Sequence, residues 1–137
     1  VDGYHSDMTR TVALGEVSSK QAQVYETVLA AQIKSLESLK AGVTCKTADA
    51  AARDIITEAG YGNFFGHGTG HGVGIEIHEQ PRLSPKSAQI LQVGDIVTVE
   101  PGIYLPGEFG VRIEDMAYIP ENGFENLTKS EKSLIIL

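Results

Sequence analysis

Four residues able to ligate a cation stand in four separate settings: Asp7 in YHSDMTRT, His71 in GHGTGHGVGIEIHE, Glu100 in TVEPGIY and Glu114 in VRIED. Carboxylates with one imidazole make a hard to borderline donor set, which favours divalent ions from manganese and cobalt to zinc over soft ones. A pair of such ions about 3.5–4 Å apart, sharing carboxylates, lowers the pKa of a shared water and polarises a carbonyl at the same time. Amide hydrolysis needs both effects. Taken singly, the carboxylates have plainer readings: Asp7 as a turn or strand-end group, Glu100 as a solvated strand end before Pro101-Gly102, Glu114 as half of a cross-strand ion pair. His71 stands evenly between ligand and ordinary histidine, and only the four together favour a metal centre.

Around His71 a glycine occupies every second position from Gly66 to Gly74, so the backbone can approach a ligand closely and the intervening side chains are displayed. No register of this run supplies Gly-x-Gly-x-x-Gly, and no Gly-Lys-Ser/Thr follows, which excludes the dinucleotide and P-loop readings. His78-Glu79 is followed by Gln80-Pro81-Arg82, so the His-Glu-x-x-His helix of a zincin is excluded too. His67 and His78 would flank metals as hydrogen-bond donors to a substrate carbonyl and its oxyanion, or as proton shuttles. Arg112, two residues before Glu114, could orient a carboxylate ligand from behind. His5 reads as a surface histidine and Cys45 as a small buried hydrophobe. Glu76, Glu79 and Asp115 read as solvated, with Glu79 the first exception to expect.

The elements that must position these groups follow from periodicity. Residues 4–14 alternate and end at Gly15, which predicts a strand with Asp7, Thr9 and Thr11 on one face. A helix is predicted from about Ser19 to Ala41, with apolar residues at three- and four-residue spacing, Ser18 or Ser19 as cap and Gly42 as stop. A second is predicted from about Thr47 to Ala59, ending at Gly60. Asp95 to Tyr104 reads as a strand broken at Pro101-Gly102, with Val97 and Val99 opposite Thr98 and Glu100. Val111, Ile113 and Asp115 likewise oppose Arg112 and Glu114, which puts each glutamate on the less apolar face of its strand. Leu134-Ile135-Ile136-Leu137 is predicted to be a buried last strand.

With 137 residues, 42% hydrophobic and 21% charged, the chain suits one globular domain. A net charge of -7 argues against a nucleic-acid partner, because no basic stripe exists to displace counterions from phosphates. The single cysteine leaves no internal disulfide and no thiolate cluster, which fits a reducing, cytoplasmic setting and a metal held by oxygen and nitrogen. No apolar run is long enough for a membrane span. The opening Val1-Asp2-Gly3-Tyr4 leads at once into a strand-like run, as if in mid-fold, so a fragment or processed chain is expected.

The segments GYHSDMTRT, FFGHGTGHGVGIEIHEQP, GDIVTVEPGIY and GVRIEDMAYI, in that order between Tyr4 and the end of the chain, resemble the pita-bread metallopeptidases, within them the Xaa-Pro aminopeptidase and prolidase group. The resemblance implies an α+β pita-bread fold with a curved antiparallel sheet and flanking helices. It implies two divalent metal ions, Mn²⁺ first with Co²⁺ or Zn²⁺ as substitutes, and a bridging hydroxide as nucleophile. By the same resemblance Asp7 and Glu114 correspond to bridging carboxylates, His71 and Glu100 to ligands of one ion, His67 and His78 to catalytic histidines, and Tyr104 and Arg112 to supporting positions. The implied substrate is a peptide or dipeptide with proline at the second position, and the implied whole protein is a homodimer. A further aspartate ligand of the family, eleven residues ahead of the position matched by Asp7, would lie before Val1. Residues 1–137 are thus expected to form the C-terminal portion of a catalytic domain, without its upstream half and N-terminal domain and inactive alone. Two rival readings share the fold: a metal-free module that binds peptides or proteins, and a creatinase-type hydrolase of another C–N bond. Each would be expected to lack some of the carboxylates present here.

Overall fold

The computed structural model describes residues 1–137. Two helices come first, α1 (Ser19–Ser38) and α2 (Cys45–Glu58). A short 3₁₀ turn at Gly62–Phe64 leads into β1 (Gly70–Gly72), β2 (Glu79–Leu83), β3 (Ile96–Val99), β4 (Gly102–Leu105), β5 (Phe109–Arg112), β6 (Asp115–Tyr118) and β7 (Glu125–Asn126). Five strands form an antiparallel sheet in the order β2-β1-β3-β6-β7, and β4-β5 is a separate hairpin.

Local sequence accounts for the helices. Ser18 accepts from the Gln21 N–H and Gln21 reaches back to the Ser18 backbone, a capping box that fixes where α1 begins. The helix stops at Ser38, three residues short of the predicted Ala41, because Leu39 turns to extended backbone (φ -73°, ψ 126°) and buries its side chain. Thr44 caps α2 through the Thr47 N–H, so α2 starts at Cys45, slightly ahead of its predicted start.

Two apolar clusters divide the work of packing. Val24, Tyr25, Val28, Ala52 and Ile56 of the helices meet Ile103, Val111 and Ile113 of the hairpin region. Leu36, Leu39, Cys45 and Ala48 meet Val97, Val99, Ala117 and Ile119 of the five-stranded sheet. The helices therefore cover one face. Because strand side chains alternate, Val97 and Val99 enter the core while Thr98 and Glu100 emerge on the far face, as predicted.

Two strand expectations are corrected. Residues 4–14 follow an extended path but pair only at isolated points, Thr9 with Glu114 and Ala13 with Ile136, so no continuous ladder forms. The terminal LIIL is not buried: Ile135, Ile136 and Leu137 are 43%, 58% and 70% exposed, and only Leu134 packs on a core cluster. That segment pairs only with Ala13 and Gly15 of the extended N-terminal segment, not with the five-stranded sheet.

Asp115 is a third correction, being fully buried and not solvated. Its carboxylate accepts from Arg10 Nη2 (2.7 Å), Lys132 Nζ (2.8 Å) and Asn126 Nδ2 (2.8 Å). Burial pushes its pKa up, and the hydrogen bonds from Lys132, Arg10 and Asn126 outweigh that and hold it below the ordinary range. The network ties the N-terminal and C-terminal segments to β6. Asp115→Asn is expected to lose about 3–5 kcal/mol of stability at neutral pH, since two cations are left without their partner. A folded pKa below the unfolded one contributes stability that is present above the unfolded value and lost as pH falls through the folded one. Urea unfolding should therefore show the gap between wild type and variant closing in acid; a gap independent of pH would refute the ion-pair account.

Candidate metal centre

The extended segment 4–14, β1 and the ends of β3 and β5 converge on the sheet face away from the helices. β1 can lie between β2 and β3 only because it is bare: a methyl on Gly70 would collide with the Thr98 carbonyl, and one on Gly72 with the Gln80 carbonyl. That close approach sets His71, flanked by both glycines, into a buried position facing Glu100. His71 Nε2 lies 3.1 Å from Glu100 Oε1 and 3.6 Å from Asp7 Oδ2. Ligand atoms of His71, Glu100 and Glu114 lie within 4.8 Å of one another, as do those of Asp7, His71 and His78. All four sequence-predicted ligands are thus brought together, with His71 common to both groups, and His78 joins one of them.

His71, Glu100 and Glu114 are each held from behind. Thr98 Oγ1 accepts the His71 N–H (3.0 Å) and donates to Glu100 Oε1 (3.1 Å). Thr9 Oγ1 donates to Glu114 Oε2 (2.6 Å) and accepts from Arg112 Nε (3.2 Å), so Arg112 acts on Glu114 through a hydroxyl. Thr11 locks the Arg112 backbone, accepting its N–H and donating to its carbonyl. His67 Nε2 and the Tyr104 hydroxyl are 2.7 Å apart, with His67 Nδ1 donating to the Gly68 carbonyl. His78 is exposed, its ring edge-on to His71 at 4.4 Å between centroids. His67, His78, Arg82, Glu100 and Arg112 line an open cleft of about 460 Å³ beside His71, with no hydrophobic residue in its wall. Asp7 borders a separate depression with Met116 and Lys129, its carboxylate 3.6 Å from His71 Nε2. His5 is exposed and Cys45 buried, as their settings suggested.

Electrostatics distinguish the members. Burial pushes the Glu114 carboxyl up to about 7; the Thr9 hydrogen bond opposes this, and the charges of Glu100 and Asp7 add to it. Burial also raises Glu100, but hydrogen bonds and charge from His71, with Thr98, outweigh it and leave Glu100 lowered. Burial lowers His71, but the bonds to Glu100 and the Gly72 carbonyl, with the charges of Glu100 and Asp7, leave it raised. Arg112 is held above its ordinary value chiefly by its hydrogen bond with Tyr104.

These residues fit a divalent cation. Glu114 Oε1 is buried with no hydrogen-bond partner, a costly state for a carboxylate. His71 Nδ1 donates to the Gly72 carbonyl, so in the neutral ring the Nε2 lone pair points at carboxylate oxygens. A cation among these atoms relieves both conflicts, and the oxygen and imidazole donors suit the manganese-to-zinc range.

Sequence reading missed the groups behind the cluster. Asp49 and Arg53 of α2, one turn apart, bind the loop that carries His67 and Thr69. Their i,i+4 spacing looks like an ordinary helix-surface ion pair, and nothing in it signals a loop partner.

Helices on one face of an antiparallel sheet and a carboxylate–imidazole cluster on the other make this the pita-bread fold, shared with solved prolidases. The chain belongs to metallopeptidase family M24, whose model matches residues 1–121. It is 52% identical over 132 residues to an Xaa-Pro dipeptidase of Pyrococcus horikoshii, covering 96% of this chain and 38% of that protein. The structure of an Xaa-Pro dipeptidase from Bacillus anthracis superposes with a TM-score of 0.97 at 56% identity, over 98% of this chain and 38% of that one. An X-Pro aminopeptidase from Thermotoga maritima gives a TM-score of 0.95 at 46% identity, over 99% and 39%. The chain thus spans under two-fifths of the length of these relatives. No helix is long and apolar enough to cross a membrane.

For Glu114, a folded pKa of about 7 against an ordinary 4.5 means that the native state holds its proton more tightly than the unfolded chain. Stability of the metal-free protein therefore falls as pH rises from the ordinary value through the folded one. Between about pH 5 and pH 8, metal-free wild type should lose roughly 2–3 kcal/mol relative to Glu114→Gln. Parallel urea titrations would measure this, and equal losses in the two proteins would show that Glu114 ionises without strain.

Proposed function

We propose that the full-length protein hydrolyses the peptide bond preceding a proline, either releasing the first residue of a peptide or splitting an Xaa-Pro dipeptide. The observation that carries this reading is the meeting of Asp7, His71, Glu100 and Glu114 at a cleft flanked by His67 and His78. Xaa-Pro dipeptidase and X-Pro aminopeptidase are the activities named for its relatives, and they supply the substrate class.

In this reading Asp7, His71, Glu100 and Glu114 would hold a pair of divalent ions, Mn²⁺ first with Co²⁺ or Zn²⁺ as substitutes, with Asp7 and Glu114 serving both ions and His71 and Glu100 one of them. Bound there, the ions supply an activated water and polarise the scissile carbonyl. The chain's own groups do the remainder. His67, whose Nδ1 already donates to the Gly68 carbonyl, in its doubly protonated form exchanges the Tyr104 hydroxyl at Nε2 for the substrate carbonyl oxygen and donates to it. His78, exposed and in contact with the His71 ring, carries a proton from its ring nitrogen to the leaving proline nitrogen. Arg112 holds Glu114 in place through Thr9, which keeps a buried carboxylate from rotating away from the cleft. Because the chain spans 38% of its relatives, residues 1–137 form in this reading the C-terminal portion of the catalytic domain, and alone bind metal weakly or at one site. The single buried thiol supports a cytoplasmic setting, and the family resemblance supports a homodimer.

Metal-loaded full-length protein should cleave Xaa-Pro dipeptides or peptides with proline second, lose activity to a chelator and regain it with Mn²⁺. Glu114→Ala should abolish turnover while circular dichroism shows the fold retained, because one side chain then fails both ions. Wild-type rates in that variant would sink the assignment. Absence of turnover by the loaded wild type, together with peptide binding, would move the weight to a binding module.

A further inference from the structure

The run that carries the cleft histidines is loose by composition. Gly66, Gly68 and Gly70 alternate with His67, Thr69 and His71, and glycines lose the most conformational freedom when a loop is fixed. Something outside the run must hold it. That device lies on α2, outside the cleft's carboxylate cluster. The Arg53 guanidinium grips the Asp49 carboxylate with two parallel bonds, Nε to Oδ2 (2.8 Å) and Nη2 to Oδ1 (2.9 Å). The same group donates through Nη1 to the Phe65 carbonyl (3.0 Å) and through Nη2 to the His67 carbonyl (2.7 Å). Asp49, 1% exposed, uses Oδ1 to accept the Thr69 N–H (3.0 Å) and hydroxyl (2.9 Å).

Both ends of the clamp reach the site. The Thr69 carbonyl accepts the Glu100 N–H (2.7 Å), which places the residue that meets His71. Arg53 also lies over the Phe65 ring, 4.1 Å from its centroid, and that ring is edge-on to His67 at 5.1 Å. One planar fork therefore fixes two carbonyls and one ring around His67, a geometry a lysine cannot reproduce.

We propose that Asp49 and Arg53 are positioning residues for the reaction: together they set where His67 and Glu100 stand, without touching substrate themselves. This rests on the reading of the cleft as a proline-peptidase site. The test compares Arg53→Lys and Asp49→Asn in the full-length, Mn²⁺-loaded protein with Ile56→Val, a change in the same helix that faces the apolar core. Each clamp variant should lower kcat on an Xaa-Pro dipeptide roughly 10–100-fold with little change in KM, and the double variant should be no worse than the worse single. Ile56→Val should lower the thermal midpoint and leave kcat in place. Independently of turnover, the ring signals of His67 in NMR spectra should shift in the clamp variants and stay put in Ile56→Val.

Wild-type kcat in both clamp variants with unshifted His67 signals overturns the proposal. So does a loss of kcat that Ile56→Val matches at an equal fall in thermal midpoint. If wild type fails to cleave any Xaa-Pro substrate, the functional reading falls, and the His67 signals still decide the clamp: shifted supports it, unshifted overturns it. Should Arg53→Lys fail to fold, the near-isosteric Asp49→Asn carries the same two readouts.

Discussion

Three carboxylates gathered around one imidazole in a partly dry place repel one another, and most of the polar structure of this chain exists to hold them there. Glu114 shows the strain most clearly: one oxygen is pinned by Thr9, the other is buried without a partner, and its pKa is pushed to about 7. Free carboxylates would turn to solvent. Two of them stay because each is fixed through a hydroxyl that is itself fixed: Thr9 under Arg112 for Glu114, Thr98 under the His71 N–H for Glu100. A threonine suits this role, since its hydroxyl donates to the carboxylate while accepting from a second group.

The apolar core makes that polar face possible by being wholly on the other side. The helices bury Val97 and Val99 of β3, and strand alternation then forces Thr98 and Glu100 outward together. Glu114 lies in the break between β5 and β6, just before fully buried Asp115, whose cations lock both chain ends onto the sheet. Adjacent acidic residues thus end in opposite conditions. Asp115 is stabilised as an anion by Arg10 and Lys132, whereas Glu114 faces other anions and is ready for a cation that the protein does not itself provide.

Legibility of the sequence followed the range of the interactions. Helix limits came within a few residues because caps such as Ser18 and Thr44 act over three positions. The residues that meet at the candidate centre were legible because each sits in a distinctive local setting, and the alternation of β3 showed which way Glu100 points. The terminal LIIL misled, since an apolar run records what could be buried and not whether an element lies above it. Asp115 misled for the converse reason: its three partners lie at Arg10, Asn126 and Lys132, and their convergence has no local mark.

Donor chemistry, strand facing and helix capping depend on residue identity and near neighbours, so the sequence by itself determined the candidate ligand residues, the face of β3 that bears Glu100 and the places where the helices begin. Which of those candidates meet, that His71 is shared between two groups of them, that Arg112 acts through Thr9, and that a helix ion pair at Asp49 and Arg53 grips a glycine-rich loop were decided only by the tertiary structure. Each of these is a contact between distant segments, and its geometry is set by how the helices and sheet pack, which no single stretch of chain encodes.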